Sequence, residues 1–162
     1  MNLKEELKRL EVVKKMDVVL SSSQRSGIYF DIKKAYGYLD ILDRMADSLY
    51  DMFGDVEVVA GSGHGGIPLA DRISGRHGLK LSLVRYELKK HGLQKYVDGY
   101  EPTKDDSVAV VDDVFTTGGS LLNTIEKLDG GIEGCYVVLK RGNESDFPYK
   151  LKYLFTASDF LD

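Results

Sequence analysis

The sequence predicts an α/β domain with a central, mostly parallel sheet flanked by helices. Three observations carry that expectation. Valine-rich apolar runs at residues 56–60, 79–85, 108–111 and 134–140 read as strands, several of them buried on both faces. Stretches with apolar residues at helical spacing lie between them. The polar or glycine-rich segments at 61–66, 86–100 and 112–120 each follow a strand. In a parallel sheet such loops meet at the carboxyl edge, where ligands bind.

Composition sets the outer bounds. A chain of 162 residues with 43% hydrophobic and 30% charged residues fits one globular domain, large enough for a proper core. A net charge of −4 argues against general binding to nucleic acid or anionic membranes, so any phosphate site is local. The single cysteine, Cys135, excludes an internal disulfide and lies in an apolar run that reads as core. No apolar stretch reaches transmembrane length, and the opening Met-Asn-Leu-Lys-Glu-Glu lacks the shape of a signal peptide. A cytoplasmic protein is expected.

In order, Leu3, Leu7, Leu10 and Val13 mark an amphipathic first helix. Residues 17–20 form a short strand, 21–27 a polar turn, and 28–32 a second strand. Leu39, Leu42, Met45, Ala46, Leu49 and Phe53 give a second helix closed by Gly54. The strand 56–60 runs into Gly61-Ser-Gly-His-Gly-Gly, after which 67–73 is helical with Pro68 in its first turn. Strand 79–85 leads into a long polar loop, 86–100. After the strand at 108–111 come a helix marked by Leu121, Leu122, Ile125 and Leu128, a strand at 134–140 and a loop at 140–146. A last strand at 149–155 and a short helix at 158–161 complete the chain.

The chemistry centres on residues 108–120, which read Val-Ala-Val-Val-Asp-Asp-Val-Phe-Thr-Thr-Gly-Gly-Ser. Two carboxylates, Asp112 and Asp113, follow where the apolar run ends. Glycines 118 and 119 let backbone N–H groups converge on an anion, and the next helix adds its positive dipole end. Thr116, Thr117 and Ser120 can donate hydroxyl hydrogen bonds to phosphate oxygens. The carboxylates can accept from sugar hydroxyls or bind a hard cation such as Mg²⁺. A ligand with phosphate at one end and a diol at the other, a ribose 5-phosphate, fits both halves. No lysine follows the glycines, so this is not a Walker A loop. Gly61, Gly63 and Gly66 satisfy G-x-G-x-x-G, with Glu87 at about the spacing of a dinucleotide fingerprint. Against that rival, the strand at 79–85 ends in Arg85, and a dinucleotide unit's long helix is hard to fit before Gly75.

Residues 108–120 closely resemble the phosphoribosyl pyrophosphate (PRPP) signature of type I phosphoribosyltransferases. Three further segments resemble the orotate branch of that family. Residues 20–35 resemble its amino-terminal segment, with Ser23 in place of the usual glycine and Ile28 in place of the first aromatic. Gly-Gly-Ile-Pro-Leu-Ala at 65–70 is typical of its pyrophosphate loop. Arg85, Lys89, His91 and Gly92 match its mobile catalytic loop, while Tyr86 stands where a lysine is usual.

The resemblance implies the type I phosphoribosyltransferase fold over residues 1–162, with 1–35 and the carboxyl end forming a small hood over the base. It implies transfer of phosphoribose from PRPP to orotate, giving orotidine 5′-monophosphate and pyrophosphate. The implied catalytic residues are Asp112, Asp113, Lys89 and His91. PRPP would be held by Arg85, Lys90, Thr116, Thr117, Gly118, Gly119, Ser120, Gly63, His64 and Gly65. The base would meet Tyr29, Phe30, Thr116 and either Arg141 or Lys140, a pair that departs from the family's Asp-Arg-x-Glu. Arg141 is preferred, because only a guanidinium grips a carboxylate with two parallel bonds. Mg²⁺ would come with PRPP, with Asp112 or Asp113 as possible ligands, and a homodimer would share its active sites. Two other readings are a transferase for another base, such as a purine or uracil, and a non-catalytic PRPP-sensing regulator.

Overall fold

The computed structural model describes residues 1–19 and 25–161. Helix α1 (Leu3–Arg9) is started by Asn2, whose side chain accepts from the Glu5 N–H while the Glu5 carboxylate accepts from the Asn2 N–H. The apolar spacing predicts a helix reaching Val13, but Val13 opens strand β1 (Val13–Val19). The break falls at Glu11, whose left-handed backbone, φ 52°, stops the helix. Strand β2 (Arg25–Phe30) pairs antiparallel with β1 in a sheet of its own. Residues 20–24, most of the expected polar turn, lie outside the described residues. The second strand ends two residues early, because Ile32 begins a 3-10 helix (Ile32–Gly37) that buries Ile32 and Ala35.

Helix α2 (Leu39–Tyr50) buries Ile41, Leu42, Met45, Ala46 and Leu49, an i, i+3, i+4 stripe. Phe53 lies beyond its end yet packs on the same core. Strand β3 (Val58–Ser62) passes directly into α3 (Gly63–His77). Residues 63–66 are therefore the first turn of α3, not a loop before it, and Pro68 sits beyond that turn. Proline has no N–H to return to the His64 carbonyl one turn back. The helix also runs through Gly75, so its length does not separate this turn from a dinucleotide unit.

Strands β4 (Lys80–Val84) and β5 (Val97–Gly99) are antiparallel neighbours, so the expected loop at 86–100 closes with a short edge strand. Strand β6 (Ser107–Phe115), helix α4 (Gly119–Ile125), strand β7 (Gly131–Lys140) and strand β8 (Leu151–Thr156) follow. Leu128 falls outside α4. A 3-10 helix (Ala157–Phe160) ends the described chain, and its Asp159 meets Lys4 at 3.4 Å. No helix among the described residues is long and apolar enough to cross a membrane.

The six-stranded sheet has the order β5-β4-β3-β6-β7-β8, parallel except at β5. Its central strands send alternate residues to opposite faces. Val59, Ala109, Val111, Tyr136 and Val138 join the core under α1, α2, α3 and the first 3-10 helix. Val58, Ala60, Val108, Val110, Cys135 and Val137 join the core under Leu121 and Ile125 of α4. That double burial is why the strands read as unbroken apolar runs. Cutting a fully buried Leu49 or Ile73 back to alanine costs about 2–5 kcal/mol in such a core. The parallel arrangement brings Ser62, Val84, Phe115 and Lys140 to one edge, where the functional residues collect.

Candidate active site

The acidic pair lies within β6, not after it as the apolar run alone predicts. β6 continues to Phe115 because it pairs with β7 as far as Lys140. Asp112 and Asp113 are only 7% and 9% exposed. Each is held by its own backbone, Asp112 Oδ1 accepting from the Asp113 N–H and Asp113 Oδ1 from the Val114 N–H, both at 2.9 Å. The Ser120 hydroxyl donates to Asp112 Oδ2 at 2.9 Å, and Lys33 Nζ donates to Asp113 Oδ2 at 2.9 Å. Burial, then the neighbouring Asp113 charge, pushes the Asp112 carboxyl up to about 7. Partial burial works against the Lys33 charge, but the hydrogen bond and charge of Asp113 outweigh it and raise its pKa.

Gly65 makes this geometry possible. A Cβ there would stand 2.4 Å from Asp113 Oδ1 and 2.7 Å from Asp112 Oδ1, so any side chain would collide with the pair. The Gly65 carbonyl accepts from the Tyr36 hydroxyl at 2.7 Å. Burial and both carboxylates hold that phenol well above its ordinary pKa, so it stays a donor. Lys33 and Tyr36, three residues apart on the 3-10 helix, thus reach the two sides of one contact. The sequence carries a faint signal for them in Lys-Lys-Ala-Tyr, directly after the aromatic segment.

Residues 114–121 line a pocket of about 240 Å³. Thr116, Thr117, Gly119 and Ser120 are exposed there, while Gly118 is buried with φ 88°. A Cβ at Gly118 would also lie 2.6 Å from the Phe147 ring, so glycine is required twice over. Thr124 ties α4 to the neighbouring strand, its hydroxyl 2.8 Å from that of Ser62.

Other expected contacts are not formed in this state. Arg85 is paired with Asp98, its Nε and NH2 groups at 2.8 Å and 2.6 Å from Oδ2. Tyr86 spans the gap between the glycine turn and the phosphate pocket. Its hydroxyl lies 3.1 Å from Ser120 Oγ, and its ring stands where a Cβ on Gly63 would fall within 2.9 Å. His64 is exposed on the first turn of α3. Lys89, Lys90 and His91 are exposed on the loop and take no part in the contacts around Asp112 and Asp113.

At the end of β2, Phe30 is buried and Tyr29 is 41% exposed. The Arg141 guanidinium lies 5.5 Å from the Phe30 ring centre, and the Arg141 backbone N–H donates to the Phe115 carbonyl at 2.8 Å. Lys140 turns the other way, 3.2 Å from Glu144 and 4.9 Å from the Tyr153 ring centre. The two side chains part to opposite faces of the sheet, since Phe30 and Tyr153 belong to the cores on those faces, and β7 does not keep strict alternation here, Val138 and Leu139 both joining the core of Phe30.

For a cation, no three His, Cys, Asp or Glu side chains gather into a metal-holding group among the described residues. Asp112 and Asp113 alone are a two-carboxylate set with Lys33 on one oxygen. Such a set fits Mg²⁺ that arrives with a polyphosphate and keeps its waters, better than a cage built by the protein.

Searched against family models, the chain matches none. It is 37% identical to the orotate phosphoribosyltransferase of Methanothermobacter thermautotrophicus over 172 aligned positions, covering 96% of this chain and 95% of that one. The crystal structure of orotate phosphoribosyltransferase from Aeropyrum pernix superposes with a TM-score of 0.83 at 31% identity, covering 99% and 96% of the two chains. The Mycobacterium tuberculosis orotate phosphoribosyltransferase in complex with PRPP gives a TM-score of 0.74 at 25% identity, covering 99% and 97%.

Proposed function

The chain belongs to the orotate phosphoribosyltransferases, and from that membership we infer that it transfers the phosphoribosyl group of PRPP to orotate in pyrimidine synthesis, releasing orotidine 5′-monophosphate and pyrophosphate. The observation that supports a working site here is the continuity of one segment. Two buried carboxylates, a hydroxyl-and-glycine turn and the start of α4 follow one another within residues 112–120.

The roles follow from chemistry. The turn of Thr116, Thr117, Gly118, Gly119 and Ser120 lines the pocket and takes the 5-phosphate, with the Ser120 hydroxyl turning from Asp112 to donate to it. Asp112 and Asp113 accept from the ribose diol and stabilise positive charge at the anomeric carbon as pyrophosphate leaves. Displacement through an oxocarbenium-like state needs no covalent nucleophile, as in glycoside chemistry. Gly63, His64 and Gly65 present the first turn of α3 to pyrophosphate. Arg85, Lys89, Lys90 and His91 close over it, which requires Arg85 to leave Asp98 and Tyr86 to leave Ser120. Mg²⁺ arriving with PRPP would be held beside Asp112 or Asp113 and would supply charge neutralisation at the leaving pyrophosphate.

On the base side, Arg141 grips the orotate carboxylate while Phe30 and Tyr29 wall the ring and the Thr116 region meets its edge. The position of Arg141 against Phe30, with Lys140 on the opposite face, favours Arg141 over Lys140 for this role. We further infer a homodimer in which the loop at 86–95 serves the neighbouring subunit's site. Orotate consumption followed by absorbance tests the reaction. Loss of orotate that depends on both PRPP and Mg²⁺ is the expected result, and no loss, or faster turnover of a purine or uracil, overturns it.

A further inference from the structure

We propose that Lys33 is a positioning residue for the transfer reaction, fixing the Asp113 carboxylate for the PRPP diol from across the site, with Tyr36 bracing the same contact at Gly65. This rests on the reading of Asp112 and Asp113 as the diol site. Lys33 and Asp113 are eighty positions apart in sequence, yet Nζ and Oδ2 meet at 2.9 Å. The partners differ in exposure, the lysine side chain at 43% and the aspartate at 12%, so a mobile cation is committed to a nearly buried anion. Val114 holds the other Asp113 oxygen. With both oxygens engaged, the carboxylate plane is set before substrate arrives. Tyr36 works one helical turn on, fastening the Gly65 carbonyl at 2.7 Å. Gly65 is the residue on which both carboxylates close.

The surroundings assign no other job to this pair. Around Asp113 stand Asp112 on the same strand, Lys33 and Tyr36 from the 3-10 helix, the Gly65 backbone from α3 and Ser120 from α4, with Tyr29 and Asp31 beside Lys33. Among the described side chains there, Lys33 is the one cation. The hood's 3-10 helix is therefore bolted to the sugar site as well as to the base side.

Steady-state kinetics of Lys33→Met, Lys33→Arg and Tyr36→Phe test this. Lys33→Met is expected to raise KM for PRPP about 5- to 30-fold with KM for orotate within about twofold, the scale of a lost charge-assisted bond. Lys33→Arg should recover most of that loss, and Tyr36→Phe should show the same split more weakly. Equal rises in both KM values, or an arginine variant no better than methionine, overturns the proposal. Calorimetric titration of PRPP into the same proteins keeps the two readings apart. If wild type binds PRPP but does not consume orotate, the reaction assignment fails. Lys33 then stands or falls on whether methionine weakens that binding and arginine restores it.

Discussion

Replacing Asp112 with asparagine should slow turnover sharply and at the same time make the protein more stable. A carboxyl held at about 7, instead of its ordinary 3.8, has its charged form disfavoured by the fold. At ~1.4 kcal/mol per tenfold change in proton affinity, that penalty reaches about 4 kcal/mol above neutral pH as an upper bound. Relaxation of the site around the carboxyl brings it to roughly 1–3 kcal/mol. The sign follows from linkage. Between pH 4 and 7 the folded state binds more protons at this site than the unfolded chain, so stability falls as pH rises through that window and levels off above it. Asparagine carries no charge and keeps both contacts, its oxygen accepting from the Asp113 N–H and its amide donating to Ser120 Oγ. Thermal unfolding of Asp112→Asn in EDTA at pH 8 should therefore show a Tm higher by roughly 3–10 °C, converting at about 2–4 °C per kcal/mol. The gain should shrink towards pH 5. Transfer of phosphoribose should fall roughly a hundredfold or more, the scale of a missing transition-state electrostatic contact. A variant less stable than wild type at pH 8, or one with full activity, refutes the reasoning.

Three other outcomes are expected. Arg141→Ala should raise KM for orotate at least about tenfold and leave PRPP binding within about twofold, while Lys140→Ala changes neither much; the reverse pattern would exchange their roles. The chain has no tryptophan, so Tyr86→Trp gives a single reporter whose emission should shift when PRPP and Mg²⁺ displace it from Ser120, and an unchanged spectrum would mean that the residue stays in place. Mixing inactive Lys89→Ala with an inactive Asp112→Asn, Asp113→Asn double variant should restore part of the activity through hybrid dimers; no recovery despite proven subunit exchange would make each subunit self-contained.

Much of this architecture is legible in the sequence because it rests on local rules. The apolar runs mark the central strands, the glycines mark the turns, and the string from Val108 to Ser120 announces an anion cradle beside a diol site. What is not legible depends on pairing and distance. β6 extends over its own carboxylates because β7 offers a partner as far as Lys140, which composition cannot reveal. The first helix stops at Glu11 through one left-handed residue, although the apolar period continues. β5 is three residues long and exists only because β4 presents an edge. Lys33 and Tyr36 lie far in sequence from the acidic pair, and only the folded chain carries them to Asp113 and Gly65. The choice between Lys140 and Arg141 turns on which face of the sheet each side chain takes, and counting from Tyr136 and Val138 gives the wrong face for Lys140, because Val138 and Leu139 join the same core and break the alternation.

The stem of the loop that follows β4 has a geometric consequence for any sharing of sites. The Arg85 N–H donates to the Tyr96 carbonyl at 2.7 Å, so the loop leaves and re-enters the molecule at one place. About ten residues lie between these anchors, a contour of roughly 35 Å at full extension. A strand that must return to its starting point can project only half of that, roughly 17 Å. Lys89, Lys90 and His91 lie at the middle of that span, where the projection is greatest. A second subunit can receive them only if its site lies within that radius, plus the length of a side chain, of the Arg85–Tyr96 stem. Lengthening the segment by a few glycines would widen the circle while leaving the anchors and the sheet untouched.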